Sequence, residues 1–282
     1  MTKVALSGAS GNMGRILRAE LVKQGVDLRS AGGRSSLTPL HPTEDLMHGD
    51  LRDPLVVDQL LKGVDVLIHL AGTSVERPLD EIIENNLVAL YSVYEGARRH
   101  GVKRVIFASS NHAFGMHSVH EKLRLSAPFR PDGLYGLSKV WGEAMAQMYW
   151  DKHGIEGVSI RIGTAMGIPP ENPRQLSTWL GKDDLVDLIT RCIKAKNVGY
   201  MQVWGVSANQ RSYWDNEGAE RLGYFPHQNA EDYAKEVLLR PNPLDPIAQK
   251  FQGGQFVTLD FTPEDQRPNY EGASHTLVTA GN

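Results

Sequence analysis

The 282-residue chain is 41% hydrophobic and 22% charged, which is ordinary for one globular α/β domain with or without a small annex. Its net charge of −3 gives no argument for nucleic acid or an anionic membrane as a partner, and its single cysteine excludes an internal disulfide. The first apolar run, residues 4–6, is too short for a signal peptide or a membrane span, so we expect a cytoplasmic protein.

Strands and helices alternate through the first 165 residues. Apolar runs predict strands at 4–6, 26–31, 46–50, 64–70, 104–108 and 157–162, and helical spacing predicts helices at 12–24, 55–61, 79–100 and 134–153. The strands have continuous apolar runs, which are typical of a parallel sheet covered on both faces. The pattern therefore predicts an α/β fold with a doubly wound parallel sheet of the Rossmann type.

The alternation weakens after residue 165, where three prolines between 169 and 173 indicate an irregular loop. We predict a dinucleotide-binding domain at 1–165 and a substrate-binding annex and lid at 166–261, with short helices and one strand at 199–204. Residues 262–282 form a polar C-terminal tail that we expect to be extended or partly disordered. Cys192 lies in an apolar stripe at helical spacing, so we interpret it as a core residue and not a nucleophile.

A glycine-rich turn follows the first predicted strand and opens the first helix. Such a turn allows the backbone to approach a pyrophosphate, and the helix N-terminus supplies amide donors. A glycine pattern alone is weak, but its position inside a strand–helix–strand unit favours dinucleotide binding. The expected cofactor contacts are Gly8, Ser10, Gly11, Asn12, Met13 and Gly14.

The end of the second strand carries no carboxylate to bind the ribose hydroxyls of NAD. Gly32 leaves space there, while Arg34 and Ser35 are suited to a 2′-phosphate. We therefore expect NADP, with NAD as the alternative cofactor and a basic surface turn as the alternative interpretation. Asp50 and Leu51, after the third strand, are expected beside the adenine amino group, unless Asp50 only caps the next turn.

Tyr135 and Lys139 are four residues apart, so on a helix they share a face. A neighbouring ammonium and a nicotinamide cation favour the phenolate of a tyrosine, which suits a general base. A Tyr-x-x-x-Lys pair is common by chance. This one gains weight because it follows a strand that ends in Ser109-Ser110, where a serine can donate to the reacting oxygen.

Together these residues resemble the extended short-chain dehydrogenase/reductase superfamily. The resemblance is carried by the glycine turn, Asp50, Leu70, Ala71 and Gly72, Asn86, Ser110, Tyr135 and Lys139. In that superfamily Leu70, Ala71 and Gly72 border the cofactor. The resemblance implies that Ser110 orients the reacting oxygen and that Asn86 positions Lys139 through water.

A narrower resemblance, to the bacterial uronate dehydrogenases, extends over nearly the whole chain. It is carried by the segments 74–78, 108–112, 134–139, 161–163, 176–179 and 251–256. It implies oxidation of the anomeric carbon of glucuronate or galacturonate to an aldarolactone. It also implies a set of substrate contacts: Ser74, Ser110, Asn111, His112, Thr164, Arg174 and Phe256.

Two departures from that family stand out. Its acidic residue at the second-strand end is Gly32 here, which places NAD preference in doubt, and its serine after Arg-Ile-Gly is Thr164, whose methyl group narrows the pocket. Arg174 suits a sugar carboxylate as a bidentate partner, although an arginine in such a loop, taken alone, is more often a solvated one. His112 could equally be a structural histidine.

Several other functions remain open. Another aldose, a sugar phosphate or a sulfonated sugar would also fit a dehydrogenase with an anion-binding arginine. Nucleotide-sugar epimerases share the superfamily but usually have a larger C-terminal part. A non-catalytic dinucleotide sensor is the alternative of another class. By analogy with the superfamily we expect a homo-oligomer formed through the helices at 79–100 and 134–153, and no metal site.

Overall fold

A parallel β-sheet forms the centre of the computed structural model, which describes residues 2–33, 36–263 and 266. Within these residues the sheet has seven strands: β1 Lys3–Ser7, β2 Asp27–Ala31, β3 Asp45–Met47, β4 Val66–His69, β5 Arg104–Ser110, β6 Glu156–Ile162 and β7 Tyr200–Gly205. Their spatial order is β3-β2-β1-β4-β5-β6-β7, and every neighbouring pair is parallel. The chain order therefore reverses between β1 and β4, which opens a crevice at the carboxyl ends of the strands.

Helices cover both faces of this sheet. They are α1 Asn12–Lys23, α2 Pro54–Leu61, α3 Leu79–Ile82, α4 Ala89–His100, α5 Leu134–His153, α6 Gln175–Thr178, α7 Lys182–Lys194 and α8 Ala234–Leu239. One buried cluster joins α1 and α7 to the sheet, and a second joins α2, α4 and α5 to its other face. The prediction of a doubly wound Rossmann-type sheet is confirmed.

The helix ends follow from local chemistry. Asp53 precedes α2 and its carboxylate accepts a hydrogen bond from the Leu55 N–H, while Pro54 occupies the first helical position. α4 and α5 are followed by the capping residues Gly101 and Gly154, whose φ values of 66° and 68° lie in the left-handed region that favours glycine.

The expected core role of Cys192 is confirmed. Its side chain is fully buried on α7, beside Leu188 and Ile189, in the cluster under the sheet. Burial raises the pKa of the thiol to about 12, which keeps it protonated and unreactive at neutral pH.

Three sequence predictions need correction. The strand expected in the annex is β7, which pairs with β6 and is the edge strand of the main sheet. The third strand is shorter than expected, Asp45–Met47. The helix expected at 79–100 is interrupted by a π-helical stretch, Ile83–Val88, between α3 and α4. Such stretches are rare and recur at functional sites.

Short helices and loops make up the rest of the described chain. Five 3-10 segments lie at Asn111–Phe114, Ala219–Leu222, Ala230–Tyr233, Ala248–Lys250 and Gly254–Thr258. Within residues 2–33, 36–263 and 266, no helix is both long and apolar enough to cross a bilayer. Most of the predicted tail, residues 264, 265 and 267–282, lies outside the described residues, so its extended character stays a prediction.

Candidate active site

The glycine turn between β1 and α1 is shaped by close backbone contacts. Gly8 has a φ of +76°, and a Cβ on it would lie 2.8 Å from the Ala71 nitrogen. A Cβ on Gly14 would lie 2.1 Å from the Gly8 carbonyl oxygen. Gly11 precedes α1, and its N–H donates to the Gly8 carbonyl at 3.0 Å. Side chains at Gly8 or Gly14 would therefore break the turn, and the cradle left by their absence fits a pyrophosphate.

This turn opens into a cavity of about 930 Å³ at the carboxyl edge of the sheet. Nearly all the residues predicted from the sequence line it: Gly8, Ser10, Gly11, Asn12, Met13, Gly14, Gly32, Asp50, Leu51, Leu70, Ala71, Gly72, Ser74, Ser110, Asn111, His112, Tyr135, Lys139, Thr164, Arg174 and Phe256. Asn86 lies just behind the wall. Arg34 and Ser35 lie outside the described residues. The cavity is large enough for a dinucleotide and a small substrate together.

One end of the cavity lies at the ends of β2 and β3, where the sequence predicts contacts with adenosine. Ser10 Oγ donates to the Gly32 carbonyl at 2.8 Å, which ties the glycine turn to the β2 end. The Asp50 carboxylate accepts hydrogen bonds from the Arg52 backbone N–H at 2.9 Å and from Arg52 Nη2 at 2.6 Å. Asp50 thus organises its own turn while it borders the cavity, so the two interpretations made from the sequence are compatible.

Tyr135 and Lys139 lie one turn apart on the first two turns of α5, and each is about 7% exposed. Lys139 Nζ lies 5.3 Å from the centroid of the Tyr135 ring and donates to the Ala108 carbonyl at 2.9 Å. Burial raises the pKa of Tyr135 to about 12, opposed only in part by its hydrogen bond with Ser110. Burial also lowers the pKa of Lys139 to about 8. The pair is adjacent, but in the free protein the tyrosine holds its proton.

Asn86 lies in the π-helical stretch, and among the described residues its side chain has no hydrogen bond with Lys139. Its Oδ1 accepts the Thr73 N–H at 2.7 Å, and its Nδ2 donates to the Thr73 carbonyl at 3.0 Å and to Ser138 Oγ at 2.9 Å. A Cβ on Gly72, whose φ is +131°, would lie 2.8 Å from Asn86 Oδ1. Asn86 therefore connects Thr73, in the loop after β4, to Ser138, the residue before Lys139.

Arg174 is positioned by neutral oxygens. Its Nε donates to the Gln252 carbonyl at 2.8 Å. The Asn111 amide is oriented so that its oxygen and its nitrogen both form hydrogen bonds. Its Oδ1 accepts from Arg174 Nη2 at 2.9 Å, and its Nδ2 donates to the Ile162 carbonyl at 3.0 Å. No carboxylate among the described residues forms an ion pair with Arg174, and burial lowers the pKa of its guanidinium. Its charge is therefore available to an anionic ligand.

His112 and Phe256 line the same cavity as Arg174. Their rings stack at 3.9 Å between centroids, and His112 meets the Tyr135 ring edge-on at 5.7 Å. His112 Nδ1 lies 2.6 Å from Oδ2 of Asp132, whose side chain is fully buried. Thr164 Oγ1 bonds with Thr178 Oγ1 at 2.8 Å, so its hydroxyl is already engaged by protein.

Two acidic residues near the site were missed from the sequence. The Glu76 carboxylate accepts hydrogen bonds from the N–H groups of Leu134 and Tyr135, each at 2.9 Å, so it caps the N-terminus of α5. Asp132 is the second. Neither residue lies near its partner in sequence, so no spacing pattern indicated them.

In the described part of the chain, no group of three or more His, Cys, Asp or Glu side chains could hold a metal ion.

The fold and site define a class of enzyme. The model of the NAD dependent epimerase/dehydratase family matches residues 4–215, and the chain belongs to that family. The narrower likeness to uronate dehydrogenases is confirmed as well. The uronate dehydrogenase of Pseudomonas syringae pv. tomato is 43% identical over 256 residues, which cover 90% of this chain and 93% of that protein.

Solved structures agree with this assignment. The crystal structure of uronate dehydrogenase from Agrobacterium tumefaciens, in a mutant complexed with NAD, superposes with a TM-score of 0.86 at 42% identity and covers 91% of this chain and 97% of that one. Glucuronic acid dehydrogenase from Chromohalobacter salexigens has a TM-score of 0.86 at 37% identity, with 91% and 96% covered.

Proposed function

We propose that this protein oxidises the anomeric carbon of glucuronate or galacturonate to the aldarolactone with a nicotinamide dinucleotide. The observation that carries the proposal is the Arg174 guanidinium, which faces the same cavity as Tyr135 and forms no ion pair with a carboxylate of the described chain. A buried guanidinium held only by neutral oxygens is poised for a bidentate carboxylate. A neutral sugar would leave that charge without a partner, and this favours a sugar acid.

The side chains support one division of labour. Tyr135 takes the proton of the C1 hydroxyl, and Ser110 hydrogen-bonds to the same oxygen and to the tyrosine. Asn111 and Arg174 fix the carboxylate end of the sugar. The bound nicotinamide supplies the redox chemistry by accepting the hydride from C1. Asn86 supports this group through its hydrogen bonds with Ser138 and the Thr73 loop. The water-mediated contact with Lys139 that the resemblance implies stays a prediction.

The protonation states give Lys139 a specific role. A tyrosine with a pKa of about 12 is a poor base at neutral pH, so nearby positive charge has to favour its phenolate. Lys139 Nζ lies 5.3 Å from the centroid of the Tyr135 ring, and its own pKa of about 8 leaves it mostly charged at pH 7. We infer that its charge and that of the oxidised cofactor lower the pKa of Tyr135 when the ternary complex forms.

We propose NADP as the cofactor, with NAD as the alternative. The sequence has no acidic residue at 31–36, and Arg34 and Ser35 follow Gly32 and Gly33. An arginine at this point suits the 2′-phosphate of NADP. The solved structure of the Agrobacterium tumefaciens relative is a complex with NAD, so NAD remains the alternative cofactor.

We also propose a homo-oligomer that uses α4 and α5. These helices expose large apolar side chains, among them Tyr91, Leu137, Trp141 and Met148. Exposed apolar area of this kind is typical of protein interfaces. Light scattering of the purified protein would test this, and a monomer at micromolar concentration would contradict it.

The deciding experiment follows absorbance at the reduced-nicotinamide band. Glucuronate, galacturonate, glucose and glucose 6-phosphate are each tested with NAD and with NADP. Reduction with both uronates and not with glucose is expected, and the faster cofactor decides the role of Gly32 and Arg34. A signal with glucose 6-phosphate alone would favour a sugar-phosphate dehydrogenase. No reduction with any sugar, despite dinucleotide binding, would favour a sensor.

A further inference from the structure

The Asp132 carboxylate is built into the wall of the substrate cavity without touching the cavity itself. Its side chain is fully buried, and its Oδ2 lies 2.6 Å from His112 Nδ1. Its backbone N–H donates to the His112 carbonyl at 3.2 Å, so the two residues are joined twice. Its Oδ1 has no hydrogen-bond partner among the described residues. Burying a carboxylate costs free energy of folding, so its presence here calls for a functional explanation.

Three glycines from three segments leave the space that this carboxylate occupies. A Cβ on Gly115 would lie 1.9 Å from Asp132 Oδ2, and one on Gly253 would lie 2.0 Å from the same oxygen. A Cβ on Gly136, which directly follows Tyr135, would lie 3.1 Å from Oδ1. Gly115 and Gly253 have ordinary negative φ angles, so space and not backbone conformation requires glycine there.

The carboxylate determines which ring nitrogen of His112 carries hydrogen. An ionised carboxylate only accepts hydrogen bonds, so Nδ1 must donate. In the neutral ring the lone pair then belongs to Nε2. Nε2 has no hydrogen bond with any described residue, while the ring is held by the stacked Phe256 and the edge of Tyr135. A fixed acceptor therefore borders the cavity that Arg174 also lines.

We propose that Asp132 is a positioning residue for sugar recognition, which holds the Nδ1–H tautomer of His112 so that Nε2 accepts a hydrogen bond from a sugar hydroxyl. This inference rests on the proposed function, because it takes a polyhydroxylated substrate as the ligand. The site then offers two complementary features. Arg174 donates to the carboxylate at one end of the sugar, and His112 accepts from a hydroxyl group elsewhere on the ring.

The kinetic test is a double-mutant cycle of Asp132→Ala and His112→Ala, assayed with glucuronate at saturating cofactor. Asp132→Ala is expected to lower kcat/KM by roughly 10–100-fold, mainly through KM, which is the typical loss for a hydrogen bond to a charged group. In the His112→Ala background the same change should cost less than about threefold. An undiminished loss in that background would overturn the proposal, because Asp132 would then act independently of His112.

A second test variant and a control variant complete this experiment. Asp132→Asn keeps the volume of the side chain and carries the test if Asp132→Ala does not fold; its amide no longer fixes one tautomer, so a smaller loss in the same direction is expected. Asp58→Ala is the matched control, since it removes a surface aspartate paired with His100 at 2.9 Å. It should leave kcat/KM unchanged, and the dinucleotide dissociation constant should be unchanged in all variants.

An NMR measurement separates this inference from the proposed function. The protein is labelled with ¹⁵N-histidine, and His112 is assigned by its absence from the His112→Ala spectrum. A protonated Nδ1 and an unprotonated Nε2 are expected in the wild type, with a mixture of tautomers in Asp132→Asn. An Nε2–H tautomer in a protein that oxidises uronates would overturn the inference alone. Failure to oxidise any uronate, with the Nδ1–H tautomer present, would refute the proposed function alone.

Discussion

Replacement of Arg174 by methionine tests the substrate assignment most directly. A guanidinium has five N–H donors, and the structure engages two of them, with Gln252 and Asn111. The remaining donors can form a bidentate pair with a carboxylate. A loss of about 3 kcal/mol of binding in the transition state corresponds to a reduction of roughly 10²-fold in kcat/KM. Methionine keeps much of the length and removes the charge.

The expected result is a change of specificity. Arg174→Met should lower kcat/KM for glucuronate by about this factor while the weak activity with glucose changes little. Arg211→Met is the matched control, because Arg211 is paired with Glu231 on the surface at 2.7 Å. Both variants are assayed by nicotinamide absorbance, with melting temperature and cofactor affinity measured alongside. Equal losses with glucuronate and glucose would refute the carboxylate role and leave Arg174 as a structural residue.

Three other predictions address the catalytic helix. Tyr135→Phe should lower kcat by about 10²–10⁴-fold with the dinucleotide dissociation constant nearly unchanged, and near-normal turnover would contradict the general-base role. Burial lowers the pKa of Lys139 from 10.5 to about 8, so burying its charged form lowers the free energy of unfolding. This loss of stability is complete below pH 8 and disappears as the pH rises toward 10.5. Lys139→Met should therefore raise the melting temperature of the cofactor-free protein at pH 7, with a smaller gain at pH 10; a gain independent of pH would argue against this cause. Glu76→Ala should lower the free energy of unfolding by about 1–2 kcal/mol, since it removes the acceptor for two N–H groups at the start of α5, and Glu76→Gln should cost less. An unchanged midpoint in urea for Glu76→Ala would contradict the capping role.

Local patterns carried most of the fold prediction. The apolar runs and the glycine turn identified six strands of the sheet and the cofactor end of the cavity, because both signals lie within a few consecutive residues. β7 was assigned to the annex because a loop, α6 and α7 separate it from β6 along the chain. The pairing of Ile160 with Val203 joins residues that only the folded chain brings together.

The same distinction separates the site residues that could be predicted from those that could not. Tyr135 and Lys139 share a helix, so their spacing predicted their proximity. Asp132 lies 20 residues from His112, and Glu76 lies 59 residues from Tyr135, across segments with no shared periodicity. The π-helical stretch was also missed, since it disturbs the apolar pattern of the long helix by only one residue.

The segment around Gln252 has a consequence for the order in which the protein matures. Its carbonyl binds Arg174, its amide bonds with Ser118, Glu121 and Trp214, and Phe256 follows four residues later. The seven strands found in the described residues all precede this segment, so they are synthesised before residue 252. The sugar pocket is completed only by these late residues. The strands that border the proposed dinucleotide site are thus synthesised before the residues that complete the proposed sugar pocket.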